Sequence, residues 1–174
     1  RLPQFTHSRP AARQLVIPHL ENVGIRPATA ALAITFITLV SVAGRLGGGW
    51  LGDHFDKRHI LALGLILQAL GALTLAKVDA AWMIIPFVLL YAPGYGATIP
   101  IRPAIAAEAF GRISFGSIQG LLQGVMTLLS VPGPLVGGLV FDLTGSYSLG
   151  FLFFGVVTFV VAPLALLITK TPSS

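Results

Sequence analysis

Arg45 lies inside an apolar run, four residues before the glycine that opens Gly49-Trp50-Leu51-Gly52-Asp53-His54-Phe55-Asp56-Lys57-Arg58. A guanidinium presents N–H donors in a planar fork that fits a carboxylate bidentately. Arg45 therefore suits recognition of an organic anion; the alternative is a structural contact to backbone carbonyls or to a carboxylate elsewhere in the chain. Downstream, Asp53 suits capping a neighbouring helix N-terminus, where orphan amides and the helix dipole favour an anion. Lys57 and Arg58 suit fixing orientation and holding lipid phosphates. The histidines at positions 7, 19, 54 and 59 give no metal-ligand spacing beyond the i, i+5 pair His54/His59, which reads as interfacial histidines in a basic loop. No Ser/His/Asp set, paired carboxylate or phosphate-binding loop converges at one depth, so enzyme chemistry is not indicated. No cofactor or metal is expected.

The elements that must position Arg45 follow from composition. Of 174 residues, 55% are hydrophobic and 10% charged, with a mean hydropathy of +0.86, against roughly 25% charged in soluble domains. The apolar residues fall in long runs at 28–51, 60–76, 82–101, 115–141 and 149–168. A bilayer core of about 30 Å needs roughly 17–25 helical residues, and each run is in or near that window. A transmembrane barrel would need alternating apolar and polar residues in segments of about ten, and none of these runs alternates. The fold class is all-α, a polytopic membrane helical bundle with five complete spans. Arg45 is eight residues before Asp53, or about 12 Å in from that end at 1.5 Å per residue. Such depth costs about 2.5–3.5 kcal/mol on insertion scales, and arginines there face a cavity or a partner. None of the five runs contains a carboxylate to neutralise it.

The net charge of +5 does not indicate a nucleic-acid partner, because the basic residues sit at helix ends rather than in one stripe. The absence of cysteine excludes a disulfide framework or thiolate metal site. Loops are expected at 52–59, 77–81, 102–114 and 142–148, short enough to make consecutive helices antiparallel neighbours. If the N-terminal tail is set aside, Lys and Arg concentrate on the side of loops 52–59 and 102–114 and of the C-terminus, which places that side in the cytoplasm. Beginning at Arg1, the sequence reads as part of a longer chain. Residues 1–27 form a polar N-terminal segment with the tail of a truncated helix, 28–170 the bundle, and 171–174 a C-terminal tail.

Two glycine series at four-residue spacing, Gly44/Gly48/Gly52 and Gly116/Gly120/Gly124, and the pair Gly133/Gly137 are expected to be helix-packing seams. Pro86, Pro93, Pro100 and Pro103 in the third helix, and Pro132 and Pro134 in the fourth, are expected to bend those helices. Tyr91 and Tyr95 lie between the prolines of the third helix, where a ligand cavity would find aromatic walls.

Gly49 to Arg58 resembles the loop motif of the major facilitator superfamily: glycine, three residues, aspartate, two residues, glycine, then basic residues. Asp56 stands where that family usually has the second glycine. Arg102-Pro103, Glu108-Ala-Phe110-Gly111-Arg112 and Phe115-Gly116-Ser117-Ile118-Gln119-Gly120 are similar to the junction of helices ten and eleven in its monocarboxylate/oxalate porter branch. Pro134-Leu-Val-Gly137-Gly138-Leu-Val-Phe141-Asp142-Leu-Thr-Gly145-Ser-Tyr147 resembles the junction of helices eleven and twelve, and Val16-Ile-Pro18-His19-Leu with Gly24 the end of helix seven.

The resemblance covers about residues 15–170 and implies the C-terminal half of a twelve-helix secondary active transporter, with helices eight to twelve complete. It implies transport of a small, monocarboxylate-like organic anion by alternating access, as symport or antiport, with Arg45 as the carboxylate-recognising arginine of helix eight. Some members carry an acidic residue where this chain has Ser41, and the oxalate exchanger has a lysine in helix eleven where 115–141 has none. The implied partners are the lipid bilayer, the anion, the N-terminal half of the same transporter and, as one option, a coupling proton; no nucleic acid is among them. The implied location is the cell membrane, as a multi-pass protein. Alternatives are an exporter of drugs or sugars, with Tyr91 and Tyr95 lining its cavity, or a non-transporting membrane fragment. The candidate substrate contacts are thus Arg45, Tyr91 and Tyr95, and the loop-motif residues Gly49, Asp53, Lys57 and Arg58.

Overall fold

A computed structural model describes Leu20, Gly24 and residues 26–168. Most of the expected N-terminal segment 1–27, including all but Leu20 and Gly24 of the stretch resembling the end of helix seven, lies outside the described residues, as does the tail 171–174. Among the described residues every regular element is helical: α1 (Pro27–His54), α2 (Lys57–Ala76), a 3-10 turn (Ala81–Met83), α3 (Ile84–Ser130), α4 (Pro132–Thr144), α5 (Ser148–Val161) and a second 3-10 turn (Ala162–Leu167). Five stretches are long and apolar enough to cross a membrane: Ala31–His54, Lys57–Ala76, Ala81–Gly111, Ser114–Thr144 and Ser148–Leu167. Each overlaps one of the five expected runs.

Local chemistry explains the boundaries. Pro27 starts α1 at a position where its missing N–H would have had no partner anyway. α1 stops where Phe55 turns extended (φ −124°, ψ 165°). Asp56 caps α2, its carboxylate accepting the Arg58 backbone N–H at 3.1 Å. The loop expected at 52–59 therefore shrinks to Phe55 and Asp56.

The loop expected at 102–114 is also largely helical. Residues 102–110 continue α3, and the break falls at Gly111 (φ 73°, ψ 170°), a conformation that essentially only glycine adopts. Alanines at 104, 106, 107 and 109 are the best helix formers, so the helix persists beyond the membrane-length run despite Arg102, Pro103 and Glu108. The prolines at 93, 100 and 103 do not interrupt it either, since the dihedral break in α3 is at Gly111 alone. Pro86 lies in the first turn of α3, where a proline is tolerated. The fourth span runs from Ser114 through α4, with Val131 still in helical dihedrals (φ −58°, ψ −45°). There the prolines remove N–H donors without reversing the chain.

Packing centres on the first arm of α3, residues 84–110, held between α1 and α2, while α5 lies against the other side of α2. Although consecutive, α1 and α2 barely touch, so chain order does not set adjacency here. Glycines explain the wedge. A methyl group placed on Gly44 would sit 2.7 Å from the Pro93 carbonyl oxygen, one on Gly48 2.5 Å from Ala97 Cα, and one on Gly52 2.6 Å from an Ile101 methyl. On the α2 side, Gly71 meets the Tyr91 backbone and Gly64 meets Thr98 in the same way, and Gly155 of α5 meets Leu73. One apolar cluster, including Leu20, Ile37, Leu75, Phe87 and Phe151, fills one end. A second, including Ile60, Leu61 and Ile101, fills the loop end. The seam expected at Gly116/Gly120/Gly124 is not formed among the described residues: nothing lies within 4 Å of a methyl placed at any of the three.

Gly47 and Gly48 give opposite expectations for one substitution. Gly48→Ala should destabilise the bundle by about 1–3 kcal/mol through overpacking against Ala97. Gly47→Ala, with open space around it, should be neutral or stabilise by up to about 1 kcal/mol through helix propensity. Thermal unfolding of the detergent-solubilised protein checks both.

Candidate functional site

Arg45 stands on α1 four residues after Ser41 and three before Gly48, both buried in the seam with α3, but is itself exposed. Its backbone is pinned, because a methyl on Gly96 would lie 3.0 Å from the Arg45 amide nitrogen. That contact puts Arg45 level with Tyr95 and Gly96 of α3. Among the described residues the guanidinium has neither an ion-pair partner nor a hydrogen-bond acceptor.

Tyr91 and Tyr95 form the upper part of a ladder at four-residue spacing on α3. The Tyr91 and Tyr95 rings stack at 5.9 Å with 10° between planes, and Phe87 packs on Tyr91 at 5.4 Å. Both tyrosines are half-buried. Tyr91 also lines a cavity of about 820 Å³ to which all five helices contribute, together with Ile37, Leu75, Phe87, Val136 and Phe154. That volume is within the range of small-molecule pockets, roughly 300–1,000 Å³. Arg45 and Tyr95 are not part of its wall. The three candidate contacts are thus joined through α3, Tyr95 lying beside the Arg45 level and Tyr91 reaching the apolar cavity.

The loop-motif residues divide. Gly49 has nothing within 4 Å of a placed methyl, so its lack of a side chain admits no neighbour among the described residues. Asp53 is exposed and, among the described residues, caps no helix. The capping expected of it is done by Asp56, which is next to α2 in sequence and in extended backbone (φ −64°, ψ 119°). Aspartate therefore replaces the usual motif glycine without any left-handed strain. Lys57 Nζ donates to Glu108 Oε1 at 2.6 Å, and Arg58 Nε lies 3.7 Å from Asp56 Oδ1. Both basic residues thus have carboxylate partners in the protein, so holding lipid phosphate is not their only engagement. The Lys57–Glu108 pair brings the α1–α2 turn and the end of the first α3 arm to one side of the bundle. His54 is engaged locally, its Nδ1 2.8 Å from the Trp50 carbonyl oxygen and its ring 4.6 Å from the indole.

Sequence reasoning missed two buried polar residues, Gln68 of α2 and Thr98 of α3, which hydrogen-bond to each other between helices at 3.3 Å. An amide in the middle of the apolar run 60–76 was the available signal.

A bundle of membrane-length helices joined by glycine seams, with a mid-span arginine and a charged turn, fits a polytopic membrane protein. The Major Facilitator Superfamily model matches residues 14–174, and the chain belongs to that family. It is 26% identical to monocarboxylate transporter 12 of Rattus norvegicus over 144 residues, 80% of this chain and 30% of that protein. To monocarboxylate transporter 13 of Rattus norvegicus it is 25% identical over 156 residues, 88% of this chain and 36% of that protein. To the class E tetracycline resistance protein of Escherichia coli it is 32% identical over 99 residues, 57% of this chain and 24% of that protein. The chain thus spans about a quarter to a third of the length of these relatives. No solved structure matches it at a significant level.

Removing each turn carboxylate separates cap from bystander. Asp56→Ala should lower stability by about 1 kcal/mol, and Asp53→Ala by no more than about 0.5 kcal/mol. For the ion pair, Lys57→Glu should destabilise and the exchange Lys57→Glu with Glu108→Lys should restore stability, the whole effect staying within about 1 kcal/mol because the pair is partly solvated. Detergent unfolding of the single and double variants measures both.

Proposed function

We propose that this chain is part of a secondary transporter that moves a small, monocarboxylate-like organic anion by alternating access, with Arg45 as the contact for the carboxylate. The observation that carries this reading is a mid-span cation, nine residues inside the His54 end of α1, that has no counter-charge among the described residues. A guanidinium at that depth calls for a polar partner, and a bound carboxylate supplies one transiently. The monocarboxylate transporters among the relatives support the substrate class. In this reading Tyr95 and the stacked Tyr91 form the wall beside the anion. A site between two halves of a transporter would draw its other wall from the N-terminal half. The end carrying Lys57, Arg58 and Arg102 faces the cytoplasm of a cell-membrane protein, by the excess of basic residues there.

A second reading, an exporter of larger and more apolar cargo, draws on the tetracycline resistance protein and on the apolar cavity beside Tyr91. Competition separates the two. Small monoacids should compete for uptake if the first holds, and bulky cations if the second does.

Uptake of a labelled monocarboxylate by the full-length transporter tests Arg45 directly. Arg45→Ala should raise KM at least about tenfold, the loss expected for a charge-assisted hydrogen bond. Arg45→Lys should fall between, because lysine keeps the charge but not the fork. Wild-type affinity in both variants would overturn the assignment.

A further inference from the structure

We propose that Gln68 is a positioning residue: through Thr98 it sets the register of α3 against α2, and so the level at which Tyr95 and Tyr91 stand. The proposal rests on the reading above, in which those tyrosines wall the anion site.

Gln68 and Thr98 are 5% and 1% exposed, inside the α2–α3 interface. The Gln68 Nε2 group donates to the Gly64 carbonyl at 3.3 Å and to Thr98 Oγ1 at 3.3 Å. Thr98 Oγ1 in turn donates to the Tyr95 carbonyl at 3.0 Å. The directions are fixed by chemistry. A carbonyl only accepts, so the nitrogen end of the amide must face Gly64. The threonine proton is committed to Tyr95, so its oxygen is free to accept from Gln68. Thr35, Thr74 and Thr127 also donate to their own helices, four residues back. Thr98 differs in also receiving a bond from a neighbouring helix.

The surrounding contacts show what that bond adds. Gly94 lies against the Gly64 carbonyl and the Gln68 nitrogen, and one turn along α2 Gly71 lies against the Tyr91 backbone. These glycine contacts set how closely the two helices approach. A directional bond resists sliding, and a slip of one turn would move Tyr95 by about 5.4 Å. The Gln68 carbonyl oxygen accepts no hydrogen bond among the described residues. Leucine would fill this space without burying that oxygen, so stability alone is a poor reason for glutamine here.

The test uses the full-length transporter with Thr98→Val, Thr98→Ser, Gln68→Leu and the double variant Gln68→Leu/Thr98→Val. Two quantities are read: the KM and kcat of monocarboxylate uptake at matched protein level, and the maleimide labelling rate of Tyr95→Cys. The 174 residues contain no cysteine, and any outside them is replaced first. Thr98→Val and Gln68→Leu should each raise KM about three- to tenfold with kcat little changed, the scale of one interhelical bond in a membrane. The double variant should be no worse than the larger single, and Thr98→Ser should recover most of the affinity. The labelling rate should shift at least about threefold in the same variants. A shift in labelling without a shift in KM supports the positioning role and overturns the tyrosines as substrate contacts. Equal behaviour of Thr98→Val and Thr98→Ser, multiplicative single effects, or an unchanged labelling rate would overturn the positioning role, whatever Arg45 does.

Discussion

Lipid gives two helices no hydrophobic reason to associate, so this bundle is held by how closely the α3 backbone can approach those of α1 and α2. Gly44, Gly48 and Gly52 admit Pro93, Ala97 and Ile101 on one side, and Gly64 and Gly71 admit Thr98 and Tyr91 on the other. At such separations dispersion contacts that are individually tiny accumulate along several turns. Everything with a candidate role hangs from this wedge. Arg45 borders the α1 seam, the tyrosines ride on α3, and Lys57 reaches Glu108 at the far end of the same arm.

Polar groups are distributed to suit a medium without water. Span hydroxyls return their protons to their own backbone, which satisfies them at little structural consequence. Lys57 and Arg58 are paired with Glu108 and Asp56 at the loop end, where water shares the cost. Gln68 and Arg45 depart from this pattern in the packed part of the bundle. Gln68 bonds across to α3, and Arg45 has no partner among the described residues. Both therefore need a reason other than satisfying the fold.

The spans and the first glycine seam were legible in the sequence because each is written in one element, as a run of apolar residues or a four-residue repeat. What escaped depended on partners elsewhere in the chain. The Gly116 repeat has the same spacing as the Gly44 repeat, yet no neighbour meets it among the described residues. Spacing records the possibility of close approach and not its occurrence. Residues 102–110 were read as loop because charge begins there, although alanine-rich backbone needs no membrane to remain helical. Asp53 has the charge to cap a helix, but capping is decided by where the next helix begins, and Asp56 is the residue that stands there. For the candidate site residues, nothing in the spacing says that Tyr91 reaches the apolar cavity and Arg45 does not.

Restraint is uneven along the chain, and the unevenness follows from the same wedge. In the second span 56% of the apolar window is buried, against 6% in the fourth. The fourth span is bounded by glycines with positive φ, Gly111 and Gly145, and interrupted by the prolines after Val131. The cavity is walled by residues 129–144 and the start of α5 on one side and by Ile37, Ala72, Leu75, Phe87 and Tyr91 on the other. The level of Arg45 relative to Tyr95 is set by the α1–α3 glycine seam, and that of the tyrosines against α2 by the Gln68–Thr98 bond. The two environments on either side of Tyr91 and Tyr95 are therefore governed by separate contacts, and a displacement that reshapes one need not disturb the other.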